Sequence, residues 1–591
     1  MNGMALQTLS PGAESTLVIA PMLIVLVAAV GTLLLGTRPR ARAGVSLAGG
    51  AAYLVAVAAI DWYVVLAPDA PGAATYQVGG LPAPFGITLV ADGLSAFMLT
   101  MVGVIGVASL VFSIRVLPEL DRRSYYFPLF HFLALGVTGA FLTGDLFNLF
   151  VWFEVMLMVS YIFVAYYGGP QHTRAAFWYV ALNLLASAVF LLGVGGIYAT
   201  TGTLNMADLA RRLAAPAAYG IDPGPVVGLL GLLLSVFAIK AGLVPFQFWI
   251  PTAYRAAPPP ITALLAGATK KVGIYAIIRL SFTVFADAQI GVDLAIPAVG
   301  TILAGDSPLA FIGAVLFVMG TASILVGGLG AVGRDSLEGV LAYSSIGQVG
   351  FIAVPVAIAA TTTVPDVRHI AIVAALVYAL NHALAKGMLF LAVGAVRTAT
   401  GTSRLADLGG LASRSPPLAG AFFIGSLALV GIPPLSGFFG KFLVFDAAAQ
   451  AGSMSVLVLL LAGSLLTIAY VTRAWNRSFW GQRTPAVDDA VTDPVQVAVL
   501  LALAVTIVAV GIGFEPIYRF ADAAATAALD TDGYIDAVDP NQTVSGADGG
   551  NVDAGAGAGE GGGGGETGMG TEPETEPGTG TINTSNGGDT P

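Results

Sequence analysis

The sequence predicts an all-α polytopic membrane protein with about fourteen spans, two of them interrupted. Three observations lead there. Of 591 residues, 56% are hydrophobic and only 10% charged, with mean hydropathy +0.84. Soluble domains carry roughly 25% charged residues, so this chain has too few charges to cover a water-facing surface. Apolar runs long enough to cross a hydrocarbon core of ~30 Å recur from residue 16 to about 514. Arginine and lysine, finally, are sorted into opposite environments along the chain.

Taken in order, the first run is TLVIAPMLIVLVAAVGTLLLG, at about 16–36. An arginine cluster follows it and it lacks a cleavage-site pattern, so it reads as a retained helix rather than a signal peptide. Further spans are expected at about 43–66, 92–115, 123–143, 145–167 and 173–199. The segment NMADLARRLAAPA then reads as a short amphipathic element at the outer surface. Spans resume at about 225–250, 259–286, 308–331, 336–361, 367–396, 416–447, 453–476 and 493–514. Residues 522–591 hold 13 of the 35 acidic residues and no Lys or Arg, leaving 22 acids against 25 basic residues, a net +3, in the rest. This Gly-rich tail buries too little apolar surface to fold and is expected to be disordered. Acidic, lysine-poor exposed segments point to a halophile.

With the N-terminus outside, fifteen arginines fall in cytoplasmic loops, among them Arg38, Arg122, Arg255, Arg334, Arg397 and Arg473. Only Arg211, Arg212, Arg368 and Arg519 fall outside, so both termini are expected outside under the positive-inside rule. There are no cysteines, which excludes disulfides, Fe–S clusters and thiolate-bound zinc. No extramembrane segment is large enough for a nucleotide or flavin site, and matches such as GLGAVG are expected by chance among 75 glycines. No cofactor, no metal, no nucleic acid and no autonomous catalytic site are expected.

All five lysines, Lys240, Lys270, Lys271, Lys386 and Lys441, lie inside predicted spans. Of twenty arginines only Arg279 sits well within one. Arginine stays protonated, whereas a lysine removed from water can release its proton near neutral pH. Buried lysines can therefore load and unload protons. Snorkelling to the interface works near helix ends, but Lys240, Lys271 and Lys386 are deep in their spans. Each mid-membrane lysine costs about 2.5–3.5 kcal/mol on insertion scales, a penalty that argues for a use. Adjacent residues point about 100° apart on a helix, so one of Lys270 and Lys271 is expected to face away from the relay.

Pro245, five residues after Lys240 in IKAGLVPFQFWIP, removes an N–H and breaks the helix. Pro433 and Pro434 stand in a similar relation to Lys441 in GIPPLSGFFGKF. Broken backbone in a membrane is tolerated only where protein or water covers it, which suggests a hydrated pocket beside each lysine. Glu154 lies mid-span and needs a partner, the available type being lysine; a Glu–Lys pair that opens and closes would move protons. Asp145 reads as an N-cap. His382 and Lys386 are four apart and share a helix face, with Asn381 beside them. Ser344, Ser345 and Gln348 could hold water, and His131, His172 and His369 read as structural.

The motifs DLFNLFVWFEVML, IKAGLVPFQFWIPTAY, TKKVGIYAIIRL, LAYSSIGQVGF, NHALAKGMLFL and GIPPLSGFFGKF resemble the antiporter-like membrane subunits. These are shared by respiratory complex I, in its subunits M and N, and the multi-subunit Mrp sodium/proton antiporters. The likeness covers roughly residues 90–480, and details such as the late GFEPIY look most like the D-type Mrp subunit. The resemblance implies two inverted five-helix repeats. It divides the chain into N-terminal helices (1–115), a first repeat (116–290), a second repeat (291–480), a last helix with its exit (481–521) and the tail (522–591). It implies a proton relay of Glu154, Lys240, Lys271, His382, Lys386 and Lys441, and membrane partner subunits; Lys270 matches no family position.

The expected function is proton conduction within a multi-subunit cation (sodium)/proton antiporter. The alternative is a proton-pumping subunit of a complex I-like oxidoreductase or membrane-bound hydrogenase. A third reading makes the buried charges a scaffold that only fixes helix registry.

Overall fold

The computed structural model describes residues 12–539 except 37, 121–124, 291, 297–299 and 306. Twelve of its helices are long and apolar enough to cross a membrane, and the shorter apolar helices Tyr126–Leu142 and Pro416–Val430 bring the set to fourteen. The chain is a polytopic, predominantly helical membrane protein.

Helices α1 (Ala13–Leu34), α2 (Pro39–Asp61), α3 (Gly93–Leu120), α4 (Tyr126–Leu142), α5 (Leu146–Val164) and α6 (Pro170–Thr201) fall on the first six expected spans. Proline opens α2 and α6, where its missing N–H costs nothing. The Asp145 side chain accepts from the Asn148 N–H, the N-cap expected of it. α2 and α4 run side by side in register. Ser46 Oγ lies 2.8 Å from His131 Nε2, and seven residues on in both helices Tyr53 Oη lies 2.9 Å from Thr138 Oγ1.

Two departures from an all-helical chain are short antiparallel hairpins, β1 (Ala73–Gln77) with β2 (Thr88–Asp92) and β3 (Val292–Ile296) with β4 (Gly300–Gly305). Both lie between spans, in segments too short and too mixed for a membrane-length pattern to reveal. The amphipathic segment forms α7 (Met206–Ala214), capped by Asn205. It does not simply lie at the surface: Met206, Leu209 and Leu213 are buried, and a buried Asp208 pairs with Arg211 and, at 2.9 Å, with Arg212.

The seventh expected span is split into α8 (Gly224–Ala241) and α9 (Trp249–Ala256). The eighth is α10 (Pro259–Leu264), a π-helical turn (Leu265–Thr269), α11 (Lys271–Arg279) and a second π-helical turn (Leu280–Val284). Then come α12 (Pro308–Val332), α13 (Leu337–Thr361) and α14 (Pro365–Thr400). After the one-turn α15 (Leu411–Arg414), the twelfth span is split into α16 (Pro416–Val430) and α17 (Ser436–Gln450). α18 (Met454–Ser478), the one-turn α19 (Pro485–Asp488) and α20 (Pro494–Ile512) complete the spans. The most apolar window of Pro259–Val284 is wholly buried and those of α13 and α14 are 94% buried, whereas that of α18 is 28% buried. The lysine-bearing α10–α11 and α14 are thus central, and their polar groups are answered by protein rather than lipid.

The expected start of the tail at 522 is corrected, because α21 (Phe514–Leu529) and α22 (Thr531–Val538) run beyond it. Ala521, Ala524, Ala525 and Ala528 form a buried helical stripe, joined by Tyr534 and Val538. Composition averaged over the whole acidic tail conceals that stripe. α21 packs against α3 and α14. The Gly- and acid-rich remainder of the tail lies outside the described residues. Arg279 belongs to this region: it is buried, with its guanidinium 2.6 Å from Asp92 and 4.9 Å over the Tyr534 ring. Thr283 adds a hydrogen bond to the Ala528 carbonyl at 2.8 Å.

Candidate functional site

Every lysine of the chain is buried, Lys441 being the most accessible at 6%. Their neighbours fall into three groups from α5 to α18.

In the first, Glu154 on α5 is half-buried and accepts a hydrogen bond from Ser187 on α6. Lys240, one residue before the end of α8, has a buried Nζ without a hydrogen-bond partner among the described residues. Lys240 and Ser187 line one small cavity with Asn183, Phe153 and Phe190. Glu154 thus accepts from a hydroxyl, and among the described residues no direct hydrogen bond joins it to Lys240. The Glu154 charge is nonetheless near enough to act on the Lys240 ammonium. α8 ends because Gly242 adopts a left-handed conformation, φ 72°, beside Pro245. The groups freed by the break are taken up by side chains. The Ile239 carbonyl accepts from Trp249 Nε1 at 2.9 Å, and the Val244 N–H donates to Ser323 Oγ at 2.9 Å.

The second group lies where α11 meets α14. Lys271 Nζ lies 2.6 Å from His382 Nδ1 and donates to the Ala266 carbonyl at 2.9 Å. Either nitrogen can hold the shared proton. Lys270 donates to the Ser345 carbonyl on α13, 3.2 Å away, a neighbour outside the sequence-selected relay. Both lysines thus face the same central region, one toward α14 and one toward α13. Neighbouring positions point about 100° apart on a helix, which sends the two side chains to different partners.

In the third group Lys386 donates to the Leu341 carbonyl at 3.1 Å and to Ser344 Oγ at 2.5 Å. From Ser344 hydrogen bonds continue to Tyr470 Oη at 2.9 Å, and Gln348 Nε2 reaches Tyr470 Oη at 3.0 Å and Thr467 Oγ1 at 3.2 Å. Tyr378 donates to Gln348 Oε1. Lys441 donates to the Val430 carbonyl at 3.0 Å and to Ser464 Oγ at 3.3 Å, with its ammonium 5.1 Å from the centre of the Phe351 ring. As at the first break, side chains satisfy the interrupted helix: Lys441 takes Val430, and Asn381, itself held by Ser436, takes the Ala428 carbonyl at 3.4 Å. Pro433 and Pro434 lie in the break between α16 and α17.

The structure brings His382 to Lys271 and places Ser344 against Lys386, a larger part for Ser344 and Gln348 than their lack of charge suggests. The other sequence-selected residues, Glu154, Lys240 and Lys441, lie in the outer two groups. Ser187, Trp249, Ser323, Tyr470, Thr467, Tyr378 and Ser464 have no sequence signal beyond polarity within an apolar run. His131 bonds to Ser46, and His172 Nδ1 lies 3.1 Å from the Ala256 carbonyl, in keeping with structural roles. Chemically, the arrangement offers titratable nitrogens and a carboxylate separated by hydroxyl, phenol and amide groups that can carry a proton.

Residues 143–310 and 307–467 match the family model described as NADH:quinone oxidoreductase/Mrp antiporter, transmembrane. The chain is 36% identical to the D-type subunit of the Na(+)/H(+) antiporter of Alkalihalophilus pseudofirmus over 470 residues, 79% of this chain and 88% of that one. A chain of the Mrp complex from Dietzia sp. superposes with a TM-score of 0.76 at 29% identity, covering 89% of this chain and 99% of that one. A chain of the membrane-bound sulfane sulfur reductase, an archaeal respiratory membrane complex, superposes with a TM-score of 0.75 at 27% identity and the same coverage.

Proposed function

Since the chain belongs to the NADH:quinone oxidoreductase/Mrp antiporter membrane-subunit family, we propose that it is the proton-conducting, D-like subunit of a multi-subunit sodium/proton antiporter. The observation that carries this reading is the set of five buried lysines, with Lys271 paired to His382 and Lys386 leading through Ser344 to Tyr470. A scaffold needs fixed charges with fixed counter-ions. Here the arginine deep within a span, Arg279, has its carboxylate in Asp92, while Lys240 has no salt bridge among the described residues. Amines that can shed charge, spaced by hydroxyls and a phenol, suit proton transfer in a way guanidinium cannot.

Protons would move between Glu154, Lys240, Lys271, His382, Lys386 and Lys441, with Lys270 beside them and the helix breaks at Pro245 and Pro433–Pro434 giving local freedom. The clusters are poor in the oxygen ligands sodium prefers, so sodium would cross in a partner subunit. The setting would be a hetero-oligomer in the cell membrane, with both termini outside. The sulfane sulfur reductase likeness favours a second reading, in which redox chemistry elsewhere drives the same relay.

Inverted vesicles containing the assembled complex separate these. Sodium-triggered collapse of a preformed pH gradient without electron donors is the expected result, and strict dependence on a donor selects the second reading. If Glu154→Gln and Lys240→Ala both assemble and transport at the wild-type rate, no relay exists.

A further inference from the structure

Glu338 and Arg397 face each other across 3.7 Å at one end of α13 and α14. The glutamate side chain is 8% exposed and the arginine 43%, so one member sits inside and the other reaches water. Both line a cavity together with Tyr254, Thr262, Phe390 and Val393. The Tyr254 hydroxyl is buried there without a hydrogen-bond partner among the described residues. A cavity with an ion pair and an orphaned hydroxyl on its wall is where an ordered water belongs.

The helix registers lead from this cavity to the relay. Leu341, whose carbonyl accepts from Lys386, follows Glu338 by three residues on α13, a rise of about 4.5 Å. On α14, Lys386, Phe390, Val393 and Arg397 fall at spacings that keep one face. The two helices therefore enclose a single seam with the charged pair at one end and the Lys386 ammonium at the other.

We propose that this cavity is the inner mouth of the proton path, with Glu338 as the group that passes protons between cytoplasmic water and Lys386. The proposal rests on the relay reading. A hydronium gives its proton to the Glu338 carboxylate, forming an O–H bond. That bond then breaks as the proton crosses cavity water to the neutral Lys386 amine, where an N–H bond forms and the carboxylate is restored. An ion pair serving only helix packing would leave the Tyr254 hydroxyl, buried beside the cavity without a partner among the described residues, without a reason.

The chain has no cysteine, so Arg397→Cys offers a single thiol on it, at the exposed rim of the cavity. In the assembled complex in inverted vesicles, a charged, membrane-impermeant thiol reagent should label that position from the exposed cytoplasmic face. Glu338→Gln should slow transport by at least about tenfold, and Glu338→Asp, which keeps the carboxylate, should recover most of it. An unlabelled thiol on that face, or wild-type transport by Glu338→Gln while Lys386→Ala is inactive, overturns the proposal. Normal transport by Lys386→Ala would instead remove the relay on which the mouth depends, whatever the labelling shows.

Discussion

Ser187→Ala isolates the hydroxyl that Glu154 accepts from beside the Lys240 cavity. Ser187 donates to the Glu154 carboxylate and lines the cavity that receives Lys240. A hydrogen bond to a charged acceptor contributes about 1.5–3 kcal/mol. Removing it leaves Glu154 half-buried without that donor, beside an amine whose own hydrogen bonds are unmade. The balance between an open carboxylate and one drawn to Lys240 should then shift by roughly ten- to hundredfold, at 1.4 kcal/mol per factor of ten. A switch biased that far toward the closed pair should transport at about a tenth of the wild-type rate or less. Ser187→Thr retains a hydroxyl and should restore most of the rate. The assay is sodium-driven proton movement in inverted vesicles, normalised to assembled complex. Wild-type transport by Ser187→Ala would refute the reasoning, because it would mean the Glu154 carboxylate gains nothing from the hydroxyl bonded to it.

Three further outcomes are expected. Asp92→Asn leaves the buried Arg279 without its counter-charge and should destabilise the detergent-solubilised subunit by about 3–5 kcal/mol, with the double variant Asp92→Leu, Arg279→Met less affected; thermal unfolding of the three proteins decides it. Tyr470→Phe removes the phenol hydroxyl that receives Ser344 and Gln348, so transport should fall about tenfold or more with assembly intact, measured in the same vesicles. Gly437→Ala drives a methyl group into the Ala428 carbonyl oxygen, and the amount of folded subunit in membranes should drop sharply, since overpacking alone costs about 1–3 kcal/mol.

The fourteen spans were legible because a membrane-length apolar run leaves a mark in any window of sequence. The two breaks were legible because proline acts locally. Lysines were legible by rarity: five in the whole chain, none in a loop. What stayed hidden depended on contacts between distant segments. Ser187 meets Glu154 across 33 positions and Ser344 meets Tyr470 across 126, and a serine or tyrosine in an apolar helix is too common to mark either meeting. Glu338 went unnoticed for another reason: an acid in the first turn of a helix reads as favourable to the helix dipole. The helices beyond residue 522 were lost because composition was averaged over a stretch that changes character near Val538.

The matched rungs between α2 and α4 constrain what else can happen in the protein. Ser46 with His131 and Tyr53 with Thr138 share one offset of 85 positions. Sliding either helix by a single turn, about 5.4 Å, would undo both rungs at once and offer no replacement pairing at the new offset. This pair of helices is thereby locked like a ratchet with no second notch. Any displacement that accompanies turnover must therefore leave the α2–α4 register intact.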